Sequence, residues 1–257
     1  MIKSIKNQSP ARIIALGFAT LILLGSVLLM LPCSVKNGIT MRYIDALYTS
    51  TSAVCVTGLI CVDPGDTFTP LGQFFLAMLI HIGGLGVTTM GAGIILLIGR
   101  KVNLKGRTLI RESMNVNTGQ GLIKLIYRIF KVTALFEIIG ATLSFIVFVQ
   151  DYPVLDAIRI SLFHSIASFN NAGFDILGNY QSLIPYQNNV LLNLVTCVLI
   201  FFGGIGFLVI RELWTTRLHW KKLSMHSKVV LSVSTILIAI GTILLKLTED
   251  ISWLGAF

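Results

Sequence analysis

Five long apolar segments alternate with polar connections along the chain. They cover residues 11–31, 70–99, 125–149, 189–210 and 229–247. Each provides about 20 residues that are mostly apolar, which a helix needs in order to cross roughly 30 Å of hydrocarbon. The pattern therefore predicts an all-α membrane protein with five spans. The first span is about twice as long as the apolar part of a signal peptide, so we expect it to be an anchor.

Composition supports a membrane protein and argues against an enzyme. Of the 257 residues, 54% are hydrophobic and 12% are charged, whereas soluble domains carry about 25% charged residues. Cys33, Cys55, Cys61 and Cys197 follow neither a disulfide nor a zinc spacing. No phosphate-binding loop, metalloprotease or nucleophile-elbow motif is present in the sequence. We therefore expect no catalytic residues, no cofactor and no metal site beyond one for an alkali cation.

The distribution of basic residues predicts the orientation. Most of the 20 Lys and Arg residues lie before residue 13 or in the segments 100–131 and 211–228. Basic connections stay on the cytoplasmic side, so the N-terminus is predicted to be cytoplasmic, and the net charge of +9 indicates loop placement rather than nucleic-acid binding. The connections 32–69 and 150–188 hold mainly Asp as their charged residues and are predicted to face outward.

Each outward connection contains a second, shorter apolar stretch, at residues 43–54 and 154–169. As helices these stretches would be about 18 to 24 Å long, which is too short to cross the membrane. If either crossed, the next basic segment would also lie outside. We therefore predict re-entrant pore helices, which enter from the outer side and turn back.

The residues that follow each short helix are the candidate functional residues. The segments 55–59 and 170–174 are small or polar and close on Gly plus a large apolar residue. Glycine allows backbone angles that turn successive carbonyls toward one axis, and carbonyl rings replace the water shell of an alkali cation. A helix-packing turn is the alternative for either segment alone, but the repetition favours a selectivity filter. The predicted potassium-binding carbonyls belong to Cys55, Val56, Thr57, Gly58, Asn170, Asn171, Ala172 and Gly173.

The order of these features occurs twice. Each Gly-Leu or Gly-Phe turn is followed by a span with a Gly-Gly-x-Gly motif, at 83–86 and 203–206. Within a span such a motif indicates either close helix approach or a local break. The sequence thus predicts membrane–pore–membrane repeats at 1–124 and 125–228, each ending in a basic loop (100–124 and 211–228), and the start of a third repeat at 229–257.

These motifs resemble the membrane subunit of bacterial Trk/Ktr potassium uptake systems, most closely the Ktr type. The segments Val56–Gly58 and Asn171–Gly173 match the first and second filter segments of that family. The resemblance implies a potassium-translocating subunit with four repeats around one pore, in the bacterial cytoplasmic membrane. It also implies a homodimer on a cytoplasmic ring of nucleotide-binding regulatory subunits, with potassium as the transported ion and sodium as a candidate modulator.

The chain carries two complete repeats, and the family carries four. We therefore expect an N-terminal portion of a longer protein, with a half-length subunit completed by another chain as the alternative. The second candidate function is a secondary carrier for a small solute, built from inverted or tandem repeats. Its spans would be expected to hold polar or charged side chains near the midplane, and here the spans are nearly bare of them.

Three polar residues within apolar stretches receive structural roles. Glu137 is a carboxylate within a span and therefore a candidate functional residue. It lies six residues after Lys131, however, and we favour an inward-facing structural pair. His81 and His164 have no metal-ligand spacing. Hydrogen-bonded packing is therefore the predicted role of both histidines.

Overall fold

The computed structural model describes residues 10–87, 89–92, 122–217 and 219–254. Within these ranges the regular structure is helical, and the extended pairing is limited to an isolated bridge between Val35 and Phe68. The all-α class is therefore confirmed for the described residues. Most of the predicted basic loop 100–124 and the last part of the predicted span 70–99 lie outside them.

Nine α-helices are described, and the chain divides into two compact units, Met1–Gly203 and Gly204–Phe257. In chain order the helices are α1 (Pro10–Met30), α2 (Tyr43–Cys55), α3 (Pro64–Thr67), α4 (Pro70–Leu85), α5 (Leu122–Phe148), α6 (Val154–Phe169), α7 (Val190–Gly204), α8 (Phe207–Thr216) and α9 (Met225–Leu254). Short 3₁₀ turns lie at Ile184–Tyr186 and Trp220–Lys222. The hydrophobic core of the first unit draws buried side chains from α1, α2, α4, α5, α6 and α7.

Three described helices are long and apolar enough to span a membrane, at Ala11–Met30, Ile123–Phe148 and Met225–Thr248. They confirm the predicted segments 11–31, 125–149 and 229–247 as continuous helices. A fourth candidate span arises if α7 and α8 are counted together across the break between them. These helices indicate a multi-pass membrane protein.

The predicted spans 70–99 and 189–210 are not continuous helices, because each breaks at the last glycine of its Gly-Gly-x-Gly motif. Helix α4 ends at Leu85, and Gly86 follows with φ +83°. Helix α7 ends at Gly204, and Gly206 has φ +87° before α8 begins. L-residues avoid this left-handed region and glycine does not. A local break, one of the two interpretations of the motif, is thus found at its fourth residue.

Close approach, the other interpretation, is found at the first glycine of each motif. A Cβ atom on Gly83 would collide with the carbonyl of Val54, and one on Gly203 would collide with the carbonyl of Phe169. Val54 lies in the last turn of α2 and Phe169 ends α6. The glycines therefore let α4 and α7 pack directly against the ends of the two short helices.

The first unit has two halves, one with α1 and the short helix α2 and the other with α5 and the short helix α6. In each half the long helix contacts the short helix through a serine. The Oγ of Ser50 donates to the Ile22 carbonyl at 2.8 Å, and the Oγ of Ser165 donates to the Glu137 carbonyl at 2.8 Å. Each member of the second pair lies 115 positions after its counterpart, Ser50 to Ser165 and Ile22 to Glu137. The two halves of the first unit therefore use the same packing contacts.

Two aspartates join the two connections predicted to face outward. The Asp66 carboxylate accepts a hydrogen bond from the Asn179 backbone N–H at 2.8 Å, and the Asp63 carboxylate accepts one from Tyr180 at 2.6 Å. Asp63 also caps α3 by accepting from the Asp66 N–H. Asp63 is buried, and a buried carboxylate needs such donors, whereas Asp66 is exposed. Together the two aspartates hold the second connection against the first.

We predict that Gly83→Ala and Gly203→Ala each lower the thermal stability of the detergent-solubilised protein. The added methyl group would collide with a backbone carbonyl rather than with the end of a flexible side chain, and overpacking of this kind costs about 1–3 kcal/mol. The measurement is the melting temperature, which is obtained by size-exclusion chromatography of samples heated to a series of temperatures.

The control is Gly241→Ala, because Gly241 lies within α9 and a Cβ there would have no neighbour within 4 Å. Alanine is the better helix former by about 1 kcal/mol, so this control should keep or raise the melting temperature. Equal melting temperatures for all three variants and the wild type would contradict the close packing of α4 and α7.

Candidate ion-binding site

Helix α2 ends in a tight turn made by the first candidate filter segment. The Val56 N–H donates to the Ala53 carbonyl at 3.3 Å, and the Thr57 N–H donates to the Ser52 carbonyl at 2.9 Å. Val56 has φ +57° and ψ +42°, which is left-handed backbone. This pair of hydrogen bonds around a left-handed residue is the Schellman ending of a helix.

The second candidate segment ends α6 in the same way. The Asn171 N–H donates to the Ser168 carbonyl at 3.1 Å, and the Ala172 N–H donates to the Ala167 carbonyl at 2.8 Å. Asn171 has φ +56°. Every donor and acceptor lies 115 positions after its counterpart in the first turn, as in Val56 to Asn171. The two turns are therefore equivalent in backbone hydrogen bonding.

The sign of φ alternates along both turns. It is positive at Val56 and Gly58 (57° and 74°) and again at Asn171 and Gly173 (56° and 68°), whereas the intervening Thr57 and Ala172 keep negative values. Glycine and asparagine adopt positive φ readily, but a β-branched residue does so at a cost of about 1–3 kcal/mol. Val56 is thus a strained residue at the centre of the first turn.

The two turns meet backbone to backbone. A Cβ atom on Gly58 would lie 2.8 Å from the carbonyl oxygen of Ala172 and 3.1 Å from the Cα of Gly173. A Cβ atom on Gly173 would lie 3.1 Å from the Cα of Gly58. The structure therefore brings the two predicted segments together, at the glycine of each one.

The predicted site residues differ in exposure. Cys55, Thr57, Asn171 and Gly173 are exposed, whereas Ala172 is completely buried. The Thr57 hydroxyl donates to the Ser52 hydroxyl at 2.9 Å, which fixes its side chain against α2. One edge of each turn is thus accessible while the other packs against the protein.

A cavity of about 270 Å³ lies beside the second turn. Asn171, Gly173, His164, Thr196 and Asp175 are among its lining residues. Burial raises the pKa of the Asp175 carboxyl, although its acceptance of the Leu177 backbone N–H at 3.0 Å acts in the opposite direction. The Asp175 carboxyl group therefore lines the same cavity as Gly173, two residues earlier in the chain.

The predicted pairing of Glu137 with Lys131 is wrong. The Oε1 atom of Glu137 lies 3.0 Å from Nδ1 of His81 and accepts a hydrogen bond from Nδ2 of Asn170 at 3.2 Å. These partners are 56 and 33 residues away along the chain, and spacing within α5 could not reveal them. Glu137 therefore belongs to the surroundings of the second turn.

Both histidines make hydrogen bonds to side chains of neighbouring helices, as predicted. His81 contacts Glu137, and Nε2 of His164 lies 3.0 Å from the Thr196 hydroxyl. Across the described ranges, no three His, Cys, Asp or Glu side chains are placed to hold a metal ion.

Residues 10–252 match the TrkH family, whose description is "Cation transport protein". The chain is 40% identical over 244 residues to the potassium/sodium uptake protein NtpJ of Enterococcus hirae. It is 38% identical over 241 residues to Ktr system potassium uptake protein B of Bacillus subtilis, and 35% identical over 242 residues to the protein of that name from Vibrio alginolyticus.

These alignments cover 95%, 94% and 93% of this chain but 53%, 53% and 52% of the respective relatives. The chain thus spans about half the length of the curated relatives that it matches. The matches confirm the resemblance to Trk/Ktr membrane subunits, which are ion transporters and not enzymes. The chain is a member of the TrkH family of cation transport proteins.

Proposed function

We propose that this chain supplies two segments of the selectivity filter of a potassium uptake pore. In this proposal the cation passes beside the two turns, and backbone carbonyls replace part of its water shell. The carbonyls are those of Cys55, Val56, Thr57 and Gly58 in the first segment and Asn170, Asn171, Ala172 and Gly173 in the second.

The observation that carries this proposal is the pair of equivalent turns in contact at Gly58 and Gly173. The φ angle alternates in sign along each turn, and the glycine at positive φ allows backbone angles that turn successive carbonyls toward one axis. In a helix-packing turn there would be no reason to repeat this alternation at two sites and to bring the two sites together. A row of carbonyls facing a cation is a reason for both.

The two short helices fit the same role. Helices α2 and α6 have 13 and 16 residues, which corresponds to about 20 and 24 Å. A re-entrant course would let them enter from the outer side and end at the turns within the membrane. Their C-terminal ends, which carry partial negative charge, would then point toward the cation.

The names of the relatives support an inorganic cation as the cargo. NtpJ is named for potassium and sodium uptake, and the two Ktr proteins are named for potassium uptake. Potassium is accordingly the proposed transported ion, and sodium is the proposed modulator. An organic solute, the cargo of the alternative carrier, has no counterpart in these names.

The proposal also includes the assembly, for which the names of the relatives and the charge pattern give partial support. Two membrane–pore–membrane repeats, at 1–124 and 125–228, would lie in the bacterial cytoplasmic membrane with the N-terminus inside. The Ktr relatives are named as parts of a system, which supports a regulatory partner. We include in the proposal a homodimer on a cytoplasmic ring of nucleotide-binding subunits.

We predict that Gly58→Ser and Gly173→Ser each reduce potassium uptake by about tenfold or admit sodium more readily. Each glycine has positive φ, and a Cβ atom at either would crowd the opposite turn, so the carbonyls would leave their positions. The protein expressed from its native gene is tested by potassium-limited growth and ion uptake in a transport-deficient bacterium.

Gly38→Ser is the matched control. Gly38 has φ +86°, so serine suffers the same backbone strain there, but a Cβ would find no neighbour within 4 Å. Uptake by this variant should stay within about twofold of wild type, since strain in an exposed loop is locally absorbed. If both turn variants kept wild-type uptake and ion preference, the filter assignment would be withdrawn.

A further prediction concerns the cytoplasmic partner. Arg107 and Arg111 in the first basic segment lie outside the described residues, whereas Lys221 and Lys222 in the second are exposed. Neutralising both lysines with Gln should weaken co-purification with the regulatory subunit and flatten its dependence on salt, because rim charges act through screened attraction.

The control for this experiment is Arg42→Gln, an exposed basic residue in a connection predicted to face outward. It should leave co-purification unchanged. Equal binding by the lysine variant and wild type at every salt concentration would restrict the role of these lysines to membrane orientation.

A further inference from the structure

A polar cluster of three side chains lies behind the second turn. It consists of His81 from α4, Glu137 from α5 and Asn170, the residue that caps α6. Oε1 of Glu137 is the shared atom, at 3.0 Å from Nδ1 of His81 and 3.2 Å from Nδ2 of Asn170. The Glu137 side chain is 13% exposed, so this contact forms largely away from water.

Asn170 connects this cluster to the backbone of the second turn. Its Nδ2 also donates to the Ile166 carbonyl in the last turn of α6, at 2.9 Å. The residue that follows is Asn171, the left-handed residue of the turn. The Asn170 amide therefore links Glu137 to the backbone at the end of α6, where the turn begins.

The surrounding helices are shaped to hold this amide. A Cβ atom on Gly84 of α4 would collide with Oδ1 of Asn170, so the second glycine of the motif leaves room for the side chain. On the other side, the Glu137 backbone carbonyl accepts from Ser165 of α6 at 2.8 Å. Glu137 is thus fixed to α6 through both its main chain and its side chain.

The first turn is built from different residues at these places. The positions 115 residues before Glu137 and Asn170 hold Ile22 and Cys55. The equivalent turn thus forms with an apolar residue and a thiol at these two places, so shared packing needs do not explain the hydrogen bond between Asn170 and Glu137.

We propose that Glu137 is a positioning residue for ion selectivity, which holds Asn170 and hence the second filter segment through the hydrogen bond from Asn170 Nδ2 to Glu137 Oε1. This inference rests on the proposed filter function. The Glu137 carboxylate acts as an acceptor here, and the nitrogens of Asn170 and His81 act as donors. Release of the amide would loosen the turn and change the spacing of its carbonyls.

The test first removes this hydrogen bond with a single substitution and then restores it in the opposite direction with a double substitution. Asn170→Asp replaces the donor with an acceptor, which faces the Glu137 carboxylate and should lower the preference for potassium over sodium about fivefold. Glu137→Gln keeps an acceptor oxygen and should change the preference by less than about twofold. The double variant places the glutamine amide opposite the new carboxylate and should recover about threefold over Asn170→Asp.

The measurement is the ratio of potassium to sodium uptake by the protein expressed from its native gene. A ratio does not depend on the amount of protein in the membrane, so a loss of folded protein alone would not change it. Thr142→Val is the control, because the Thr142 hydroxyl bonds to the carbonyl of Ile138 in its own helix and the residue is exposed. This variant should keep the wild-type ratio.

An unchanged ratio in Asn170→Asp, or no recovery in the double variant, would overturn the proposal. If Asn170→Asp does not accumulate, Glu137→Leu replaces it, and a ratio equal to that of Glu137→Gln would overturn the proposal equally. A wild-type protein that takes up no potassium would refute the filter function itself. Wild-type uptake with an unchanged ratio in the variants would refute the positioning role alone.

Discussion

The close contact between Gly58 and Gly173 is the constraint on which the rest of the first unit depends. A Cβ atom on either glycine would crowd the backbone of the opposite turn, so the two turns meet through backbone alone at this point. Stopping a helix exposes carbonyls that need partners, and the Schellman hydrogen bonds of both turns supply them. Gly83 then allows α4 to approach the end of α2, and Gly203 allows α7 to approach the end of α6.

The two turns reach the same backbone conformation at different cost. Asn171 adopts positive φ readily, whereas Val56 does so against the steric demand of its branched Cβ. Strain of this kind persists when surrounding contacts determine the conformation. For Val56 these contacts are the hydrogen bonds that the N–H groups of Val56 and Thr57 donate to α2 and the contact of nearby Gly58 with the opposite turn. The first turn is thus held by packing, and the second has a polar cluster in addition.

Local patterns in the sequence predicted the positions of the short helices and of both turns, because small residues closing on glycine report local backbone needs. The Gly-Gly-x-Gly motif left close approach and a break as alternatives, and each is found at a different glycine of the motif. The left-handed Val56 was not predictable, since its residue type argues against that conformation. The partners of Glu137 were missed because His81 and Asn170 are brought to it by tertiary packing.

The two turns share their backbone conformation but differ in the side chains behind them. In the proposed filter, backbone and side chains therefore have different roles. Main-chain hydrogen bonds and glycine contacts recur 115 or 120 positions apart, and they set where the carbonyls lie. The side chains behind the turns do not recur, as Glu137 and Asn170 correspond to Ile22 and Cys55. Ion discrimination depends on how firmly carbonyls are held as well as on where they lie. Under the proposed filter function, sequence differences behind equivalent turns can therefore tune selectivity while the backbone proposed to contact the ion stays the same.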